Sequence, residues 1–140
     1  MKRNTFLLAS AVLLVSAFVV WRVFYHPLAV ARAELSESSP LSAVMCGYLF
    51  DDDIQEFKQT THHLDENLTE ELLHIIRQGR KNQPCKCATD ISVEIRFKNG
   101  KTVSFKMSTH RVLLRGINIQ IDTDKFDLFL QRLKETEPEA

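Results

Sequence analysis

The stretch DISVEIRFKNGKTVSFKM, residues 90–107, decides the fold of this 140-residue chain. Apolar and polar side chains alternate on both sides of Asn99-Gly100, which is the pattern of two half-buried strands joined by a tight turn. A two-residue turn would put the two apolar sets on opposite faces, whereas a bulged three-residue loop at 98–100 pairs Ile95 with Val103. The sequence therefore predicts an antiparallel hairpin with the three-residue loop.

A second hairpin follows directly along the chain. A two-residue turn at Arg115-Gly116 pairs Leu114 with Ile117 and keeps five apolar side chains on one face, those of Val112, Leu114, Ile117, Ile119 and Ile121. The two hairpins together form a four-stranded meander. Residues 43–61 contain β-compatible segments and predict one or two further strands, so we expect an antiparallel sheet of about four to six strands.

Two amphipathic helices flank the meander in the sequence. The first begins at a capping box with Asn67 as N-cap and Glu70 at the third helical position, and ends at Gly79. The second is capped by Asp122 or Thr123. Their apolar side chains recur at helical spacing: Leu68, Leu72, Ile75 and Ile76, then Phe126, Phe129, Leu130 and Leu133. The predicted class is α+β, with the sheet covered on one face by the two helices.

The N-terminal segment has the composition of a membrane anchor. Residues 5–21 carry no charge, and the 21 residues of 5–25 would rise about 31 Å as a helix, which matches a bilayer. Lys2 and Arg3 precede the segment and favour a cytoplasmic N-terminus, with the remainder of the chain across the cell membrane. A cleaved signal peptide is the alternative, because Ala31-Arg32-Ala33 has the form of a cleavage site.

The rest of the chain is long enough for one compact domain. With 44% apolar and 26% charged residues, the chain has a globular composition, and we place the domain at residues 43–135. Residues 26–42 mix small residues, serines and prolines and predict a flexible linker between the anchor of residues 1–25 and the domain. Residues 136–140 are expected to form a disordered tail.

Three cysteines are the candidate reactive or metal-ligating residues: Cys46, Cys85 and Cys87. Outside the cytoplasm a bridge from Cys46 to one of the other two would persist and contribute about 3 to 4 kcal/mol. Because the number of cysteines is odd, one thiol would remain outside the disulfide. The alternatives are three unbridged thiols, a copper(I) or zinc site, or a redox pair; the Cys-x-Cys spacing is not that of a zinc clip.

Charge is polarised along the chain, although its formal sum is zero. Residues 34–71 hold ten acidic residues and one basic residue, while residues 77–115 hold ten basic and two acidic residues. The meander's cations form a candidate interaction surface: Arg96, Lys98, Lys106, Arg111 and Arg115. Its expected partners are an envelope protein or acidic lipid headgroups. The competing interpretation is that the acidic and basic blocks pair with each other inside the molecule.

No hydrolase, metalloprotease, phosphate-loop or dinucleotide motif occurs in the sequence. We therefore expect neither an enzyme nor a cofactor, and the sequence identifies no small-molecule substrate. Nucleic acid is not an expected partner, since no row of aromatic residues accompanies the cations. The predicted function is a non-catalytic, membrane-anchored extracytoplasmic binding module that contacts the lipid bilayer through residues 5–25. The alternative is a cysteine-based copper, zinc or thiol-redox accessory protein of the cell envelope.

Overall fold

The computed structural model describes residues 2–51, 55–82 and 89–136, leaving aside the side chains of residues 24–26 and 49–51. Its helices are α1 (Lys2–Val20), a π-helical segment (Trp21–Tyr25), α2 (His26–Ser36), α3 (Glu66–Arg77) and α4 (Thr123–Thr136). Its strands are β1 (Pro40–Asp51), β2 (Glu56–Leu64), β3 (Arg80–Lys81), β4 (Ile91–Phe97), β5 (Thr102–Met107), β6 (Arg111–Leu114) and β7 (Ile117–Gln120). The predicted α+β class is confirmed.

The described strands form a single open antiparallel sheet in the order β2-β1-β4-β5-β6-β7-β3. The predicted meander from β4 to β7 is present, and residues 43–61 supply β1 and the start of β2. The sheet has seven strands rather than about four to six. The additional strand is β3, which has two residues and pairs with β7 at one edge.

The two predicted hairpin turns of the meander, β4–β5 and β6–β7, have the predicted register. In the first, Ile95 lies opposite Val103, and the Phe97 amide donates to the Lys101 carbonyl at 2.9 Å, closing a loop over residues 98–100. Gly100 has a φ of +84°, as the bulge requires. In the second, Leu114 lies opposite Ile117, and Arg115 and Gly116 both have positive φ, the backbone of a type I′ turn.

One face of the sheet is buried beneath helices. Along β4 every second side chain is buried, and the same alternation continues through β5 and β6. These side chains share the core with the apolar faces of α3 and α4, which include Leu72, Ile76, Phe126 and Phe129. The core also contains residues of a third helix, α2, whereas two helices were predicted.

Helix α2 occupies most of the segment predicted as a flexible linker, residues 26–42. Leu28, Ala31 and Leu35 recur at helical spacing and are buried in the core. The prolines and serines that suggested a linker lie at the ends of the helix. Pro27 is in its first turn, where proline is tolerated, and Pro40 already begins β1. The described domain therefore includes α2 and begins earlier than residue 43.

Helix α3 is present as predicted but begins two residues earlier. Its N-cap is Asp65, whose carboxylate accepts a hydrogen bond from the Leu68 amide at 2.8 Å. Asn67, the predicted cap, is exposed in the first helical turn. Helix α4 is capped by Asp122, which accepts hydrogen bonds from the amides of Asp124 and Lys125 at 3.0 and 3.2 Å.

The N-terminal helix lies outside the core. Residues Lys2–Val23 are long and apolar enough to cross a bilayer, and none of that stretch is buried against the domain. At the other end of the chain α4 runs to Thr136, so the predicted tail lies outside the described residues from residue 137 onward.

Candidate functional site

The sheet has a second face, opposite the helices, which we call the open face. It carries the side chains that alternate with the buried ones on the central strands, such as Val44 and Cys46 on β1 and Ser92, Glu94 and Arg96 on β4. All of these side chains are exposed or half-buried. The open face is therefore a surface on which the described sheet can meet a partner without unfolding.

One end of the open face is apolar and aromatic. The β1–β2 ladder continues to Asp51 and Glu56, while the β1–β4 ladder stops at Gly47, so a two-stranded ribbon projects beyond β4. Tyr48 and Phe57 lie on this ribbon as diagonal neighbours and are 54% and 71% exposed. Aromatic side chains with this much exposure are typical of binding surfaces.

The open face also carries cations, at separate places along its strands. Arg96 is near the β4–β5 loop and Lys106 is near the far end of the β4–β5 ladder, with Glu94 between them. Arg96 on β4 and Lys106 on β5 are exposed, and Arg111 on β6 is half-buried. The Nε and Nη1 atoms of Arg111 are buried and have no hydrogen-bond partner among the described residues. The structure therefore brings three of the predicted surface cations, Arg96, Lys106 and Arg111, to one face.

The other two predicted surface cations are used inside the molecule. Lys98 Nζ lies 2.9 Å from Glu66 Oε1 at the start of α3, and Arg115 Nη2 lies 2.6 Å from Glu34 Oε1 on α2. Further ion pairs of this type are Lys101–Glu37 and Arg77–Glu70. The competing interpretation, in which the acidic and basic blocks pair with each other, therefore holds for these residues and not for the whole of the two blocks. Exposed pairs of this kind contribute little stability, about 0 to 1 kcal/mol each.

Cys46 is half-buried on the open face. The Thr61 hydroxyl donates to its sulfur at 3.4 Å, and Ser92 lies directly across the β1–β4 pair. Cys46 and Ser92 line a shallow depression together with Glu94, Ser104 and Lys106. Hydroxyls and a thiol in an open depression can donate and accept hydrogen bonds with a docked side chain, which suits binding.

The remaining cysteine predictions concern residues outside the described part of the chain. Cys46 itself is a free thiol in the structure. Its predicted partners Cys85 and Cys87 lie between residues 82 and 89, so the predicted bridge and the copper or zinc site stay predictions. Within the described ranges, no group of three or more His, Cys, Asp or Glu side chains lies close enough to hold a metal ion.

The aromatic end of the open face was missed at the sequence level. The signal was available, because Val44, Cys46 and Tyr48 alternate with the buried side chains of β1. Its use required knowing that β2 pairs with β1 in the register that brings Phe57 beside Tyr48. Comparison with protein family models, with curated proteins and with solved structures finds no match to this chain.

Proposed function

We propose that this protein is a non-catalytic binding module, anchored in the cell membrane by α1, which presents the open face to an envelope protein on the extracytoplasmic side. One observation carries the proposal: the open face combines exposed aromatic residues, Tyr48 and Phe57, with the cations Arg96, Lys106 and Arg111. Tyrosine and arginine are the residue types that contribute most to binding free energy at interfaces. The partner that fits is a protein surface with an apolar patch beside carboxylates.

Retention of α1 is supported by the packing of α2. Cleavage at the signal-peptide site Ala31-Arg32-Ala33 would remove most of α2 from the domain. Leu28 and Ala31 would then leave the core, and the Arg32 guanidinium would no longer donate to the Gly79 carbonyl. An uncleaved anchor keeps these contacts. The positive charges of Lys2 and Arg3 at the start of α1 favour the orientation with the domain outside the cytoplasm.

A photo-cross-linking experiment on the full-length chain in its membrane tests the proposal. A photoreactive residue replaces Tyr48 on the open face, and in a matched variant it replaces Leu128, which is exposed on α4. We expect a specific adduct from position 48 and none of that mass from position 128. The adduct should disappear in an Arg96→Glu, Lys106→Glu background, because reversed charges repel an acidic partner.

The purified partner then permits a quantitative check. Binding to the full-length chain should weaken with increasing salt and fall at least about tenfold in the charge-reversed variant. Equal adducts from both positions would rule out the open face as the binding surface, and an adduct that survives the charge reversal would rule out its cations as part of that surface.

A further inference from the structure

The N-terminal helix continues into the folded domain and is not followed by a flexible linker. The described backbone is helical from Lys2 to Ser36, with the π-helical segment Trp21–Tyr25 between α1 and α2. Proline at position 27 lacks the amide that would donate to the carbonyl four residues earlier, that of Val23. Lys81 Nζ donates to this carbonyl at 2.9 Å. A side chain of the domain thus supplies a donor where Pro27 removes one.

Two more hydrogen bonds join α2 to the end of α3 and to the turn that follows it. Arg32 donates to the Gly79 carbonyl, and Arg77 Nη2 donates to the Leu35 carbonyl at 2.9 Å. Together with the buried side chains of α2, these bonds hold the domain against the helix along its length. The β3 edge is therefore fixed beside the point where the anchor helix leaves the bilayer.

The cations at the two ends of α2 differ in their surroundings. Near its C-terminal end the cations are ion-paired: Lys101 with Glu37 and Arg115 with Glu34. Near its N-terminal end lie Arg22 and Arg80, each adjacent in sequence to one partner of the Lys81–Val23 hydrogen bond and each exposed. Neither has a carboxylate within 4 Å among the described residues.

One carboxylate must be weighed against these cations. Asp122 lines the same depression as Arg80, together with Gln120 and Lys125. Its carboxylate accepts the α4 amides of Asp124 and Lys125, so it is already committed to capping a helix. The β3 edge therefore keeps its positive charge, on the side of the domain that faces the lipid headgroups.

We propose that Arg22 and Arg80 bind the phosphates of anionic lipids, and that Lys81 holds the two arginines at headgroup level by its bond to Val23. Guanidinium groups suit phosphate because they donate two parallel hydrogen bonds. A basic residue near an anionic membrane surface strengthens association by about fivefold. This inference rests on the membrane anchoring in the proposed function, and it assigns lipid binding to the β3 edge rather than to the open face.

The test uses the full-length chain reconstituted into vesicles of phosphatidylcholine, alone or mixed with phosphatidylglycerol. Native mass spectrometry measures the ratio of the two lipids that remain bound to the chain. We expect enrichment of phosphatidylglycerol, reduced at least about tenfold in Arg22→Gln, Arg80→Gln. The matched control Arg96→Gln, Lys106→Gln removes the same charge from the open face and should leave the enrichment unchanged. Arg22→Lys, Arg80→Lys keeps the charge but loses the two parallel hydrogen bonds, and it should give an enrichment between those of the wild type and the glutamine variant.

The outcomes separate the two proposals. A chain that fails to float with either kind of vesicle would overturn the proposed membrane anchoring, and with it the lipid-binding proposal. A chain that inserts normally but shows no enrichment, or an equal loss in the control, would overturn lipid binding at the β3 edge alone. Thermal unfolding of each variant, matched to the wild type, shows that a loss of lipid is not a loss of folding.

Discussion

Asp65 stabilises the start of α3 through a single side-chain hydrogen bond, from the Leu68 amide at 2.8 Å. Replacing an N-cap aspartate by alanine costs about 1 kcal/mol, so Asp65→Ala should lower the free energy of unfolding by that amount. Asn67→Ala is the matched control, because Asn67 is exposed and is the second residue of the helix. Urea unfolding of the detergent-solubilised chain measures both. A greater loss for Asn67→Ala would restore Asn67 as the cap.

Gly47 lies where β1 comes closest to the chain entering β4. A Cβ at this position would overlap the Asp90 carbonyl oxygen and lie 2.7 Å from Ile91 Cα. Both are backbone atoms, so the strands must separate, and we expect Gly47→Ala to cost about 1 to 3 kcal/mol. Val44→Ala, on the open face of the same strand, should cost less. Equal unfolding midpoints for the wild type and Gly47→Ala would contradict the close approach.

Cys46 decides between the two functional interpretations of the cysteines. If it forms the predicted bridge, the purified chain should titrate with one thiol before reduction and three after, and carry no metal. In Cys46→Ser both remaining thiols should then titrate without reductant. Three thiols that titrate at once and become protected by copper(I) or zinc would instead favour the metal-binding accessory protein.

At the level of elements, the sequence predicted strands better than helix ends. The meander could be predicted because alternation over β4 and β5 leaves one register that buries both apolar sets. Strand β3 could not, since two residues carry no period. Helix α2 was missed because Ala31 adds little to an apolar stripe, so Leu28 and Leu35 looked isolated. The cap of α3 was misplaced because Asp65 and Asn67 are both good capping residues and only packing distinguishes them.

Leu35 tests whether α2 is part of the domain. Its side chain is 1% exposed, and truncation of a buried leucine costs about 2 to 5 kcal/mol, so Leu35→Ala should destabilise the domain by an amount in this range. Val30 on the same helix is 47% exposed, and Val30→Ala should stay within about 0.5 kcal/mol. Chemical denaturation followed by circular dichroism measures both. A flexible linker, by contrast, would make the two substitutions equally harmless.

At the level of the whole molecule, the candidate surface could be predicted only in part. The alternation of β4 and β5 places Arg96 and Lys106 on the open face, and it does so without any knowledge of the partner strands. Lys98 and Arg115 lie in turns, where their direction depends on acidic residues far away in the sequence, Glu66 and Glu34. Long-range pairing of this kind has no local signature, so a charge pattern alone overestimates the size of a cationic surface.

The orientation of the anchor determines which compartment the open face meets. Lys2 and Arg3 should keep the N-terminus in the cytoplasm, so a C-terminal tag should be digested by protease added to right-side-out vesicles and protected in inverted ones. Lys2→Glu, Arg3→Glu removes the bias and should give a mixed population, since Arg22 beyond α1 then favours the reverse orientation. Lys58→Glu, Lys106→Glu changes the same charge far from the anchor and should have no effect. A wild-type tag protected in right-side-out vesicles would place the open face in the cytoplasm, where disulfides are rare, and both the predicted bridge and an envelope partner would have to be abandoned.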